Sequence, residues 1–165
     1  MKKMLVLFLT LTLTAGLCFA AMAETADTLT WRGYTLQATW LTTDKTDINI
    51  HDLREDGQFA MVRLVPVEGT VSFDTVNEHA GDELYIKLAS GDKMPLGTVL
   101  FHTFLPSDGT SVFPKIDPEQ KDFDALFFLE GGTEADLEGA ALAIVDDGAE
   151  QTLALEAIPL EKPES

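Results

Sequence analysis

The chain has 165 residues, with 28 acidic and 11 basic side chains and a formal net charge of −17. Such a charge excludes a basic surface that could neutralise phosphates, so we expect no nucleic-acid partner and no attraction to anionic lipid. The single cysteine, Cys18, excludes an internal disulfide framework and a zinc site made of several thiolates.

The N-terminal segment has the pattern of a secretion signal. Two lysines near the start precede a mostly apolar run over residues 4–20, and Ala-Met-Ala follows at 21–23. This pattern predicts cleavage before Glu24 and removal of residues 1–23. One domain over residues 24–165 would remain, with a charge of −19 once the two lysines are lost. We therefore expect a protein that is secreted or held in the cell envelope.

Two alternatives concern the same segment. An uncleaved anchor would need about 20 strongly apolar residues, and the run is short for that, so we expect no stable membrane span after processing. A lipid anchor on Cys18 would need a small residue just before it, but Leu17 stands there. Lipoprotein anchoring at Cys18 is therefore not expected.

Strand patterns dominate the first half of the remaining chain. "YTLQATW" alternates, which predicts a strand with Tyr34, Leu36, Ala38 and Trp40 on one face, and "LTW" before it predicts a short strand. "QFAMVRLVPV" is apolar on both faces except at Arg63, as expected of a central strand. "ELYIKLA" and "TVLFHTF" predict two more strands, separated by a Ser-Gly-Asp-Lys turn.

The second half predicts three strands and no long helix. "FDALFFLE" indicates a strand buried on both faces, and "GGTEADLEG" indicates its solvated exit turn, with one helical turn capped by Thr133 and Asp136. "AALAIVD" and "EQTLALEAI" predict a hairpin around Asp147-Gly148, because both residues tolerate positive φ. "DTVNEHAGDEL" predicts at most one helical turn, and the tail "PLEKPES" is expected to be frayed.

About seven strands with turns between them predict an all-β fold, an antiparallel β-sandwich in a single domain.

Three acidic loops raise the possibility of a cation site. Calcium requires six to eight converging oxygens, commonly from acids at alternate positions around a glycine. None of the loops has that spacing, so we interpret them as solvated turns. The calcium hypothesis, if it holds, would use Asp117, Asp122 and Asp124.

The sequence contains no pattern typical of an enzyme. His51, His79 and His102 are far apart and lack metal-binding spacing, and no Gly-x-Ser-x-Gly or phosphate-binding loop is present. We predict no catalytic residues and no cofactor. A hydrolase would need His102 or His51 to meet an acid and a hydroxyl, for which Ser107 and Ser111 are the nearby candidates.

Aromatic residues offer one possible ligand contact. Exposed aromatic rings on a β-sheet stack on sugar rings at low entropic cost. Tyr34 and Trp40 share a predicted face with Leu36, which favours a place in the core. Trp31, at a strand edge, is the candidate for an exposed, ligand-stacking residue.

The order of motifs resembles a known group of domains. "YTLQATW", "GQFAMVRLVPV", "IKLASGD", "FDALFFLEGG" and the final hairpin together resemble the Ig-like domains of unknown function on bacterial secreted proteins and lipoproteins. The resemblance implies an Ig-like sandwich used for binding or scaffolding outside the membrane. We therefore predict an exported, non-catalytic binding or accessory module with a protein or glycan partner. A calcium-stabilised adhesion domain and a hydrolase of unknown substrate are the alternatives.

Overall fold

The computed structural model describes residues 28–44, 46, 56–104 and 115–160. The predicted signal segment, Cys18, His51, Ser107 and Ser111 lie outside these residues, and so does the tail from residue 161 onward.

Within the described residues the structure is mostly antiparallel β, with one α-helix and short 3₁₀ turns. The strands are β1 (Thr28–Trp31), β2 (Tyr34–Thr42), β3 (Gly57–Pro66), β4 (Val71–Ser72), β5 (Leu84–Lys87), β6 (Lys93–Leu100), β7 (Thr103–Phe104), β8 (Lys115–Ile116), β9 (Glu119–Gln120), β10 (Phe123–Glu130), β11 (Ala141–Asp146) and β12 (Ala149–Ala154). The helix α1 is Phe73–Glu83, and the 3₁₀ helices are Glu134–Leu137 and Leu155–Ala157.

Eight strands form one sheet in the order β1-β2-β3-β10-β6-β5-β11-β12. Strand β6 joins its two halves, because residues 93–95 pair with β5 whereas residues 96–100 pair with β10. The sheet curls until β1 lies beside β11 and β12. The prediction of a mostly antiparallel β fold is confirmed. The structure differs in having eight strands in one nearly closed, barrel-like sheet.

The seam between β1 and β12 is closed by side chains. Gln151 on β12 accepts a hydrogen bond from the Thr30 backbone N–H at 3.0 Å and donates one to the Thr30 carbonyl at 2.9 Å. Nearby, Asp146 accepts from the Arg32 backbone N–H at 3.0 Å. The two side chains thereby satisfy backbone groups that an edge strand would otherwise expose.

Alternation along the central strands fills the interior. Ala60, Val62 and Leu64 of β3 face the core, and Phe123, Ala125 and Phe127 of β10 pair against them. All six side chains are buried, as the period of two in each strand requires. The prediction that "FDALFFLE" is a strand buried on both faces is confirmed for residues 125–127, whereas Asp124, Phe128 and Leu129 are half-buried and Glu130 is exposed.

A bulge in β2 changes the face on which Trp40 lies. Ala38 pairs with Leu64 but Trp40 pairs with Arg63, so one extra residue stands in β2 between these pairs. Such an insertion moves the following side chains to the opposite face. The prediction that Trp40 shares a face with Leu36 and Ala38 is therefore wrong. Leu41 occupies the core instead.

On the outer face Trp40 belongs to a second apolar cluster. It packs with Phe59, Met61 and Leu126, which are all buried. The guanidinium of Arg63 lies 5.6 Å from the centre of the Trp40 ring. This cluster explains why β3 and β10 are apolar on both sides.

Helix α1 is longer than the single turn predicted. Its eleven residues bury Val76 and Ala80 in the core, and the Phe73 ring meets Phe101 edge-on at 4.7 Å. The helix is otherwise polar, so packing against β6 rather than its own composition determines its formation. The prediction of no helix beyond one turn is wrong here.

The predicted turns are confirmed. Asp147 and Gly148 have φ values of 47° and 81°, as the hairpin between β11 and β12 requires. The turn after β10 is a four-residue 3₁₀ helix leading into β11, with the Asp136 carboxylate accepting from the Thr133 backbone N–H at 2.7 Å. The solvated exit turn is therefore present as expected.

Residues 155–160, here called the C-terminal segment, cross one end of the sheet from β12 to β2. Leu155 and Ile158 are buried in the core. The Leu41 N–H donates to the Pro159 carbonyl at 2.8 Å, and the Trp40 indole N–H donates to the Leu160 carbonyl at 3.0 Å. The prediction of a frayed tail is thus wrong for its first two residues, which are held by β2.

Candidate functional site

A groove lies at the end of the sheet that the C-terminal segment crosses. Its volume is about 530 Å³. Its walls come from the end of β2, the turn before β11 and the C-terminal segment. The lining residues are Leu41, Thr43, Leu137, Glu138, Gly139, Ala140, Ala154, Leu155, Glu156, Ile158 and Leu160.

A second, more open depression of about 470 Å³ continues the groove. It shares Thr43, Leu137 and Glu138 with the first and adds Glu134 and Ala135. Because they share these residues, the two depressions form one joined surface beside the 3₁₀ helix Glu134–Leu137. We call this joined surface the groove.

The C-terminal segment builds one wall because its apolar residues alternate between core and surface. Leu155 and Ile158 are buried and hold the segment against the sheet, while Leu160 is 71% exposed. The Leu155 N–H also donates to the Ala140 carbonyl at 3.0 Å, which ties the segment to the start of β11. An apolar side chain is thereby fixed at the edge of the groove.

The opposite wall is the turn between β10 and β11. Gly131 and Gly139, with φ of 69° and 67°, bracket the turn in a conformation that favours glycine. Asp136 also accepts from the Thr133 hydroxyl at 3.0 Å. The turn is therefore locally braced, and it contributes the half-buried Leu137 to the groove.

The rim of the groove is acidic. Glu134, Glu138 and Glu156 are exposed, and no ion pair joins any of them to a described residue. No lysine or arginine is among the described lining residues. The groove therefore combines an apolar floor with carboxylates that have no described cationic partner.

Several basic side chains away from the groove are paired with other groups. Arg63 forms a two-pronged salt bridge with Asp124, with N–O distances of 2.7 and 2.8 Å, and the hydrogen bond raises the pKa of Arg63. Lys87 contacts Glu150, which also accepts from the Tyr85 hydroxyl. That hydrogen bond raises the pKa of Tyr85 to about 12. None of these pairs includes a carboxylate of the groove rim, and among the described residues no ion pair compensates that charge.

The structure gives the three calcium candidates different partners. Asp124 binds Arg63, and Asp122 contacts the His102 ring. Asp117 accepts from the Glu119 backbone N–H at 3.1 Å. Among the described residues, no three metal-ligating side chains come together.

Trp31, the candidate for stacking, has no exposed surface. Its ring packs at 6.3 Å from Phe123, and its indole N–H donates to Glu83 at 2.7 Å. Glu83 also binds the guanidinium of Arg32, and this contact lowers the pKa of Glu83. The expectation that Trp31 is exposed is therefore wrong, because the last residue of α1 holds its indole inward.

His102 lies between β6 and β7, and its side chain is largely exposed. Its side chain is 61% exposed and its ring contacts Asp122, while its backbone N–H donates to the buried Gln120 at 3.0 Å. An imidazole beside a carboxylate can serve as a base, but Ser107 and Ser111 lie outside the described residues. His102 does not line the groove.

The groove was not identified from the sequence. The only signal for it is the spacing of Leu155 and Ile158, two apolar residues three apart after the last strand. Comparisons with protein-family models, curated proteins and solved structures find no match. Across the described residues, no helix has the length and apolar character needed to span a membrane.

Proposed function

We propose that the chain is an exported, non-catalytic binding module that holds its partner in the groove. The observation that carries the proposal is the contrast between a filled interior and an open end. The largest side chains of the described core have under 2% of their surface exposed. These side chains leave no exposed core surface for a ligand, so we propose the groove, which is larger than the depression beside α1, as the binding place.

Export rests on the signal pattern of residues 1–23 and on the resemblance to Ig-like domains of bacterial exported proteins. Intact mass measurement of the protein from the culture medium or envelope tests export. Loss of residues 1–23 is expected, and a cytoplasmic full-length chain would refute it.

Binding is tested by nuclear magnetic resonance on the processed chain. The Trp40 indole N–H donates to the carbonyl of Leu160, which lines the groove, whereas the Trp31 indole bonds to Glu83. Trp31 pairs with Tyr34 at the start of β2, and six residues of β2 place Trp40 about 20 Å further along the strand. A groove ligand should shift the Trp40 indole signal and leave the Trp31 signal in place.

The ligands to titrate are cell-wall glycan fragments, host glycans and short peptides of positive, neutral and negative charge. Leu160→Ser is the matched variant, because Leu160 is exposed, its replacement leaves the core intact, and serine adds no charge to the acidic rim. A ligand of the native groove should lose affinity in this variant. If no ligand shifts the Trp40 signal, the groove is not a binding site and the proposal fails.

Two alternatives remain as proposals with simple tests. A calcium-stabilised adhesion domain requires a melting temperature that rises in millimolar calcium relative to chelator. A hydrolase requires turnover that is lost in His102→Ala, since the ring of His102 contacts the carboxylate of Asp122. An unchanged melting temperature or unchanged turnover would dismiss the respective alternative.

A further inference from the structure

We propose that the groove receives a basic peptide segment, in which lysine or arginine flanks one or two large apolar side chains. This inference rests on the proposed function and identifies the class of partner. It is drawn from the floor of the groove, its rim and its shape.

The floor selects an apolar side chain. Leu137 is half-buried and Leu160 is exposed, and both lie beside the buried Leu155 and Ile158. An apolar side chain seated here removes exposed leucine surface from water, which is favourable in proportion to the area covered. A fully polar partner would leave that surface without a complementary contact.

The rim selects positive charge. A partner that covers Glu134, Glu138 and Glu156 takes water from three carboxylates, which is unfavourable unless cations replace the water. The described residues offer no cation at this place. The full chain has a formal net charge of −17, which attracts basic partners from a distance. Acidic partners are repelled for the same reason.

The lining disfavours a glycan. Sugar rings commonly stack on aromatic side chains, and none of the described lining residues is aromatic. Two depressions that share Thr43, Leu137 and Glu138 can take neighbouring side chains of one peptide.

The test uses calorimetry on the processed chain with an acetylated, amidated peptide of alternating lysine and leucine. Two control peptides replace every lysine by glutamate or every leucine by serine. The lysine–leucine peptide should bind most tightly, and its affinity should fall as salt rises, because exposed charges are screened. Equal binding of either control peptide would overturn the inference.

Charge variants separate the groove from the general charge of the chain. The groove variant combines Glu134→Gln, Glu138→Gln and Glu156→Gln. The matched control combines Glu68→Gln, Glu78→Gln and Asp82→Asn, three exposed acids that do not line the groove. The groove variant should bind the peptide roughly tenfold more weakly, and the control less than about twofold more weakly.

Equal weakening in both variants would show that binding follows net charge, and the inference would fail. It would also fail if the lysine–leucine peptide did not bind while another ligand shifted the Trp40 indole signal. In that case the proposed binding function would stand. If nothing shifted that signal, both would fall.

Discussion

The seam between β1 and β12 provides a direct test of the barrel-like sheet. Gln151→Ala removes the two hydrogen bonds that the side-chain amide makes to the Thr30 backbone, at 3.0 and 2.9 Å. Each neutral hydrogen bond contributes about 0.5–1.5 kcal/mol net, and water can replace part of the loss at this partly exposed site. We therefore expect the free energy of unfolding to fall by about 1–2 kcal/mol.

Urea unfolding measures this change as a lower midpoint at an unchanged slope. The melting temperature should drop by about 3–5 °C per kcal/mol for a chain of this size. Gln37→Ala is the control, because Gln37 is an exposed glutamine on β2 with no side-chain bond to a described residue. Its effect should stay within about 0.5 kcal/mol.

Amide hydrogen exchange locates the effect. The Thr30 N–H points to Gln151 rather than to β2, so its protection depends on the glutamine. Exchange of this amide should speed up in Gln151→Ala and less so in Gln151→Glu, which keeps an acceptor. An unprotected Thr30 amide in the native chain, or one indifferent to Gln151→Ala, would refute the seam.

Three further predictions concern stability. Leu155→Ala should lower the free energy of unfolding by about 2–4 kcal/mol because it leaves a cavity in the core. Leu160→Ala, at an exposed position, should change it by less than about 0.5 kcal/mol. If denaturant unfolding gave the two variants similar losses of stability, the placement of the C-terminal segment would be contradicted. Gly57→Ala should destabilise by about 1–3 kcal/mol, since its Cβ would stand 2.5 Å from the Leu129 carbonyl oxygen, whereas Gly81→Ala, in an open helical position, should stabilise by about 0.5–1 kcal/mol. The lowered pKa of Glu83 means that the stability from its contact with Arg32 is present above about pH 4.5 and is lost as the pH falls through the lower folded-state pKa. Glu83→Gln should lack this part of the acid transition, and unfolding curves from pH 6 to 3 that match those of the native chain would contradict it.

The strands β3, β10 and β11 were predictable from the sequence because each is a short, mostly apolar run bounded by turn residues. The Asp147-Gly148 hairpin was predictable for a local reason, since both residues accept positive φ. These elements depend mainly on their own residues. Their bounds match the structure closely.

The remaining features depend on tertiary contacts. The bulge before Trp40 contains no glycine or proline that could mark it, and it arises from pairing with β3. Helix α1 has few apolar residues and forms by packing against β6. The closure of the sheet relies on Gln151, which looks like any exposed glutamine in the sequence.

The site was hidden for a similar reason. Acidic residues are scattered through the whole chain, so three glutamates near the C-terminal segment carry no signal of their own. Only the fold brings the turn before β11 beside residues 155–160. Conversely, the sequence predicted that Trp31 is exposed because it lies at a strand edge. The structure shows that α1 brings Glu83 against the indole, so that Trp31 is buried.

Titration of the labelled, processed chain with the lysine–leucine peptide, followed at its two indole N–H signals, examines the groove most directly. We predict saturable movement of the Trp40 signal, a fixed Trp31 signal, and a much smaller response in Leu160→Ser, which removes the exposed leucine without changing the charge. Movement of both indoles together, or of neither, would contradict a binding groove at the crossing of the C-terminal segment.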